Sequence, residues 1–165
     1  MTSAAITILG LGPGSIDDLT VEAFNLLTRA AQQKQRVYFR TMVHPTVEPL
    51  LQRIPDLHIE SFDRLYDESE AWHALYERIA EEVCALAAQQ AVLYAVPGHP
   101  LVGESSVQLL LQRARARGLS TKIVSGLSFL EPVCNALELD PFDAGLQIVE
   151  ATSLATLRGD EVGGK

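Results

Sequence analysis

Cysteine is scarce: Cys84 and Cys134 are the only two in 165 residues. They stand fifty residues apart, so the spacing excludes a compact cysteine-ligated metal site and a disulfide framework. Two thiols of this kind read as buried side chains in a reducing compartment. Long apolar runs are also missing. None approaches the ~20 residues needed to span a bilayer. The first five residues combine no charged segment with a following apolar core, which argues against a signal peptide. Positive charge is in short supply, with 13 Lys+Arg against 21 Asp+Glu and a formal net charge of -8. A surface that negative repels phosphate backbones and argues against nucleic-acid binding. Internal repeats and low-complexity tracts are absent as well. By elimination, the expectation is a soluble cytoplasmic protein with no membrane and no nucleic-acid partner.

What is present is an ample apolar fraction, 47%, organised in alternating patterns. Ile6 to Leu9 is a β-branched apolar run closed by glycine and reads as a buried strand. Val21, Phe24, Leu27 and Ala31 recur at helical spacing behind Thr20, a residue suited to an N-cap. Val37-Tyr38-Phe39 is a second strand signal. His44-Pro45 reads as a helix start, with Val47, Leu50, Leu51 and Ile54 on the apolar face. Leu57 to Ile59 reads as a short strand. Residues 67–90 read as the longest helix, with Trp72, Leu75, Tyr76, Ile79, Val83 and Leu86 as a core stripe. Strands at 91–95 and 122–124 flank a helix over 104–117 that Gly118 ends. A helix over 129–137 and a strand-like run over 146–151 complete the pattern. Strands that alternate with helices and lack polar alternation predict an α/β fold, an αβα sandwich around a mostly parallel five-stranded sheet.

In such a sheet, ligands bind beyond the carboxyl ends of the strands. Three loops fall there: Gly10–Gly14, Pro97–Pro100 and Ser125–Ser128. Each is built from glycine, proline or serine, so backbone groups would face a small-molecule ligand. The first loop is not a dinucleotide fingerprint, since the third glycine is misplaced, and it is not a phosphate-binding P-loop, since no Gly-Lys-Ser/Thr follows. A tight turn without any ligand is the alternative for that loop alone. His99 has no second histidine or carboxylate at metal-ligand spacing, so no metal is expected. Glu77, Glu81 and Glu82 read as a solvated helix face rather than a magnesium site. That weakens a third option, a nucleotide pyrophosphohydrolase.

Taken together, the loops are those of a known family. Gly10-Leu11-Gly12-Pro13-Gly14, Val37-Tyr38-Phe39-Arg40-Thr41, the segment Tyr94 to Glu104, and Ser125-Gly126-Leu127-Ser128-Phe129 resemble, in order and spacing, the N-terminal domain of the tetrapyrrole (corrin/porphyrin) methylases. The match extends over residues 5 to 151. Gly98-His99-Pro100, with Ser61-Phe62-Asp63 and Tyr66 ahead of it, resembles the form fused to MazG-type nucleotide pyrophosphohydrolases. The resemblance implies S-adenosylmethionine as cofactor, contacted by Pro13, Pro97, Gly98, His99, Val102, Ser128 and Phe129. It implies a methyltransferase acting on a small molecule such as a tetrapyrrole, with no catalytic side chain assigned. It also implies a methylase-like domain over 1–144, with 145–165 as the start of a second domain or a tail. A MazG-type partner domain follows from the same likeness, and a homodimer is expected because an exposed apolar half-cleft commonly drives self-association. Ser15 and His99 stand where the family often has aspartate, so a non-catalytic binding or regulatory module on the same fold is the alternative.

Overall fold

The computed structural model describes residues 5–69 and 71–150. Five strands form one parallel sheet: β1 (Ile6–Gly10), β2 (Val37–Phe39), β3 (Ile59–Ser61), β4 (Val92–Val96) and β5 (Thr121–Val124), in the order β3-β2-β4-β1-β5. β1 and β4 occupy the interior of the sheet, which is why both read as unbroken apolar runs.

Alternate side chains of these strands feed two cores. Ile6, Ile8, Tyr94 and Val96 pack with α3 (Arg64–Asp67), α4 (Trp72–Ala87) and α5 (Ser105–Ala116) through Leu65, Leu75, Ile79, Val83, Val107 and Leu110. On the other face Leu9, Phe39, Leu93 and Ala95 pack with α1 (Val21–Gln32) and α2 (Val47–Arg53) through Ala23, Leu27, Val47 and Leu50. The αβα sandwich expected from the strand pattern is the one observed. Thr20 caps α1, its hydroxyl accepting the Ala23 amide at 3.2 Å. Gly118 ends the α5 region at φ +66°.

Several local expectations are corrected. The helix expected over 67–90 is shorter, Trp72–Ala87, because α3 ends at Asp67 and Ala71, in extended backbone (φ -135°, ψ 140°), precedes the start of α4. Trp72 is therefore the first residue of α4 and is 67% exposed rather than part of the core. Val21, likewise the first residue of its helix, is exposed. β3 lies two residues beyond the expected 57–59, and Leu57 is buried ahead of it. The helix start expected at His44-Pro45 falls later, with α2 beginning at Val47. Thr46 holds the cap position, and the His44 carbonyl accepts the Val47 amide at 3.0 Å. Residues 146–150 lie in no helix or strand: an apolar run becomes a strand only beside a neighbour that completes its hydrogen bonds. Ala151 and the glycine-rich tail lie outside the described residues.

The chain divides into two compact units, Met1–Pro132 and Val133–Lys165. The first holds the sheet and both cores. In the second, the end of α6 (Leu130–Leu137) is followed by the short helix α7 (Pro141–Ala144), capped by the Asp140 carboxylate on the Phe142 amide at 2.9 Å.

The chain leaves β1 toward β2 through α1, and leaves β4 toward β5 through α5 on the opposite face. The two exits diverge between neighbouring strands, which opens a crevice at the carboxyl edge. Glycines line its floor. A Cβ on Gly10 or on Gly126 would lie 2.3 Å from the Gly98 carbonyl oxygen, with the other glycine's backbone within 2.9 Å. Backbone atoms on all sides cannot swing away as a side chain would. Gly126→Ala should therefore lower the unfolding free energy in urea by on the order of 3 kcal/mol. Gly118→Ala meets no atom within 4 Å and should cost only the ~1–2 kcal/mol of its left-handed backbone. Equal losses for the two variants would mean that the close approach carries no special constraint.

Candidate functional site

The first and second loops are stitched to each other. The Leu11 amide donates to the Val96 carbonyl at 2.8 Å, the Gly98 amide to the Gly12 carbonyl at 2.8 Å, and the Gly12 amide to the Gly98 carbonyl at 3.3 Å. Gly12 and Gly98 form an isolated antiparallel bridge at φ +75° and +65°, a region that glycine enters without steric cost. The third loop is tied in by Thr20, whose hydroxyl donates to the Ser125 carbonyl at 3.0 Å. One side chain thus caps α1 and holds the turn after β5.

Beside this crossing lies a cavity of about 230 Å³. Pro13 from the first loop, Pro97, Gly98, His99 and Val102 from the second, and Phe129 from the third line it. Phe129 is 46% exposed, an apolar face turned outward next to a glycine-built floor. Gly98 faces open space, with nothing within 4 Å of where a Cβ would sit. His99 folds onto its own loop, its Nδ1 accepting the Leu101 amide at 3.0 Å. That bond fixes the ring against its own loop and leaves Nε2 as the nitrogen free to meet a ligand.

Ser128 does not line the cavity. It is buried, and its hydroxyl and amide both donate to the Glu131 carboxylate, at 2.7 and 2.8 Å, while the hydroxyl accepts the Leu130 amide at 3.1 Å. It braces the turn that presents Phe129. The hydrogen bond from the Ser128 hydroxyl holds the Glu131 carboxyl below its usual range, outweighing a smaller desolvation effect. Ser15 likewise acts locally, accepting the Asp17 amide at 3.1 Å at the start of a 3-10 turn, Ile16–Asp18.

Four further residues line the cavity and were not picked out as site residues in the sequence: Arg40, His44, Gly103 and Glu104. Arg40 directly follows β2, and Glu104 precedes α5, so both stand at the carboxyl edge. A charged residue placed immediately after a buried strand was the available signal. Arg40 Nη1 pairs with Glu104 Oε2 at 3.1 Å, with side chains 19% and 4% exposed. Glu104 Oε1 also accepts the Ser106 hydroxyl at 2.7 Å and the Ser106 amide at 3.3 Å. Ser106 in turn meets the buried Tyr94 hydroxyl at 3.1 Å. Burial works against the charge of Arg40, yet the Glu104 carboxylate holds its pKa above the usual value. Burial, aided by the Arg40 charge, pushes the His44 pKa down. The Tyr66 and Tyr76 hydroxyls are both raised, first by burial, against an opposing pull from Arg40.

The acidic face of α4 has a structural role. Arg113 pairs with Glu77 at 3.0 Å and with Glu81 at 3.1 Å, and Arg117 reaches Glu81 at 2.6 Å, which links α4 to α5. Among the described residues there is no group of three or more side chains able to hold a metal ion, and no helix is long and apolar enough to cross a membrane.

Residues 5–162 match the family model of the Tetrapyrrole (Corrin/Porphyrin) Methylases. Uncharacterized protein YabN of Bacillus subtilis is 39% identical over 157 residues, which is 95% of this chain and 30% of that protein. A methyltransferase/ribosomally synthesized type II borosin cyclic peptide precursor of Phlebiopsis gigantea is 28% identical, over 92% of this chain and 27% of that protein. Among solved structures, diphthine synthase superposes with a TM-score of 0.63 at 19% identity, covering 83% of this chain and 50% of that one. Uroporphyrin-III-C-methyltransferase from Thermus thermophilus gives 0.55 at 23% identity, over 82% and 53%. These likenesses establish the fold. The chain spans about a third of the curated relatives and about half of the solved ones.

The wall that carries Arg40 and His44 is fastened by Asp63, whose carboxylate accepts the Met42 amide at 2.8 Å. Partial burial would raise the Asp63 pKa, but hydrogen bonds from Thr41, the Met42 amide and Ser61, with the Arg40 charge, hold it below the usual value. A carboxyl depressed on folding stabilises the native state above its unfolded pKa, and that contribution is lost as pH falls through the folded one. Urea unfolding followed from about pH 5 to pH 3 should therefore show a steeper loss of stability for the unaltered chain than for Asp63→Asn. Identical slopes would remove Asp63 from the account of this wall.

Proposed function

Because the chain belongs to the tetrapyrrole (corrin/porphyrin) methylase family, we propose that it forms the N-terminal half of an S-adenosylmethionine-dependent methyltransferase site. The observation that carries this is the meeting of Pro13, Pro97, Gly98, His99, Val102 and Phe129 around one cavity at the carboxyl edge of the sheet. When bound, S-adenosylmethionine supplies an electrophilic methyl group on a sulfonium centre.

The residues present suit such a ligand. Gly98 leaves room for close approach to backbone, and Pro13, Pro97, Val102 and Phe129 supply apolar walls that exclude water. Methyl transfer needs alignment of donor and acceptor in a water-poor site more than it needs a proton carrier. In this proposal the loops bind and orient, Ser128 and Glu131 hold Phe129 in place, and no side chain of the chain moves a proton.

Isothermal titration of S-adenosylmethionine and S-adenosylhomocysteine tests this, using the chain and a form extended to the length of its solved relatives. Saturable binding, at least in the extended form, is expected, and Phe129→Ala should weaken it severalfold by removing an apolar wall. An absence of binding in both forms would overturn the proposal in favour of a non-catalytic module.

A further inference from the structure

The charged groups on the cavity wall cancel one another. Four titratable side chains line it: Arg40, Glu104, His44 and His99. The Arg40 charge is already matched by the more deeply buried Glu104. The His99 Nδ1 is already engaged by the Leu101 amide, and the His44 pKa is held down by burial and by Arg40. No lysine lines the cavity. A further carboxylate that feels the Arg40 charge, Asp63, has its pKa held below the usual value, and the whole chain carries a formal charge of -8.

The same wall is short of hydrogen-bond partners. Arg40 Nε and His44 Nδ1 are buried with none, and so is the Tyr66 hydroxyl, whose pKa responds to Arg40. Buried polar atoms left unpaired are costly, and one of these belongs to the guanidinium itself. Arg40 lines the cavity with its side chain 19% exposed, which leaves part of the guanidinium open to an entering group.

We propose that Arg40 and His44 form a subsite for the methyl acceptor, and that the acceptor group it takes is uncharged, an amide or a similar carbonyl-bearing group, rather than a carboxylate. This rests on the methyltransferase proposal for what the cavity holds, but its chemistry is decided by Arg40, Glu104 and His44 alone. A carbonyl oxygen accepts from the guanidinium without adding charge. A carboxylate would add a second negative charge beside Glu104, and no further Arg or Lys side chain lines the cavity to meet it; desolvating an unmatched charge is far costlier than desolvating an amide. The wall therefore disfavours a carboxylate-rich tetrapyrrole at this position.

The test follows the Arg40 Nε–H resonance of the ¹⁵N-labelled chain, identified by its loss in Arg40→Lys, during titration with acetamide and, separately, with sodium acetate at constant ionic strength. Acetamide should shift it saturably, and acetate should bind about tenfold more weakly because its charge goes unmatched. In Glu104→Gln the freed guanidinium should reverse that preference, with thermal unfolding showing that the variant is folded. If the variant does not fold, the two probes on the unaltered chain decide the matter. Acetate binding as tightly as acetamide would overturn the inference, and so would an Arg40 resonance that neither probe moves. An acetamide response in a chain, short and extended, that fails to bind S-adenosylhomocysteine would leave the subsite standing and remove the methyltransferase proposal. Binding of S-adenosylhomocysteine with a preference for acetate would do the reverse.

Discussion

The close approach of three backbones, at Gly10, Gly98 and Gly126, is the constraint on which the site depends. β1 and β4 are neighbours, and their exits turn to opposite faces of the sheet. The loops can pass at that divergence only where no Cβ intervenes, since an added atom would stand 2.3 Å from the Gly98 oxygen. The approach brings Gly12 and Gly98 into a two-way hydrogen-bonded bridge. The bridge holds Pro13 and Pro97 on one rim of the cavity, and the Thr20 bond to Ser125 brings the loop that carries Phe129 to the other.

Much of the fold was legible because its interior strands are apolar without alternation. Ile6–Gly10 and Val92–Val96 are bounded by glycine and proline, and those features specify a buried parallel sheet. The three loops were legible for the same reason, since no regular element accommodates Gly10-Leu11-Gly12-Pro13-Gly14. Less legible was whatever depends on tertiary neighbours. The apolar spacing from Trp72 onward fits a core stripe, but Ala71 is extended, and Trp72 begins a helix at the surface. Ser128 belongs to the right loop, yet its polar groups turn inward to Glu131 instead of toward the cavity. Arg40 and Glu104 are 64 residues apart, and nothing local announces their pairing. Only the sheet, which sets β2 beside β4, brings the ends of those strands together.

The site so formed is unusual for its balance of charge. A strongly acidic chain has placed a matched ion pair and two imidazoles along the cavity, one of them, His44, with its pKa held down. Buried pairs of this kind contribute little net stability, because desolvation offsets their attraction. Their consequence is selectivity: the wall accepts hydrogen-bonding groups and resists additional charge. Glu104 is further held by Ser106 and, through it, Tyr94, so its carboxylate is not free to turn toward a ligand.

A crystal structure of the chain grown with S-adenosylhomocysteine would test the central claim most directly. The account predicts the ligand against Pro97–Val102 and Phe129, with the backbones of Gly10, Gly98 and Gly126 in contact as they are in its absence. A ligand bound elsewhere on the chain, or loops that separate at the three glycines to admit it, would contradict the account.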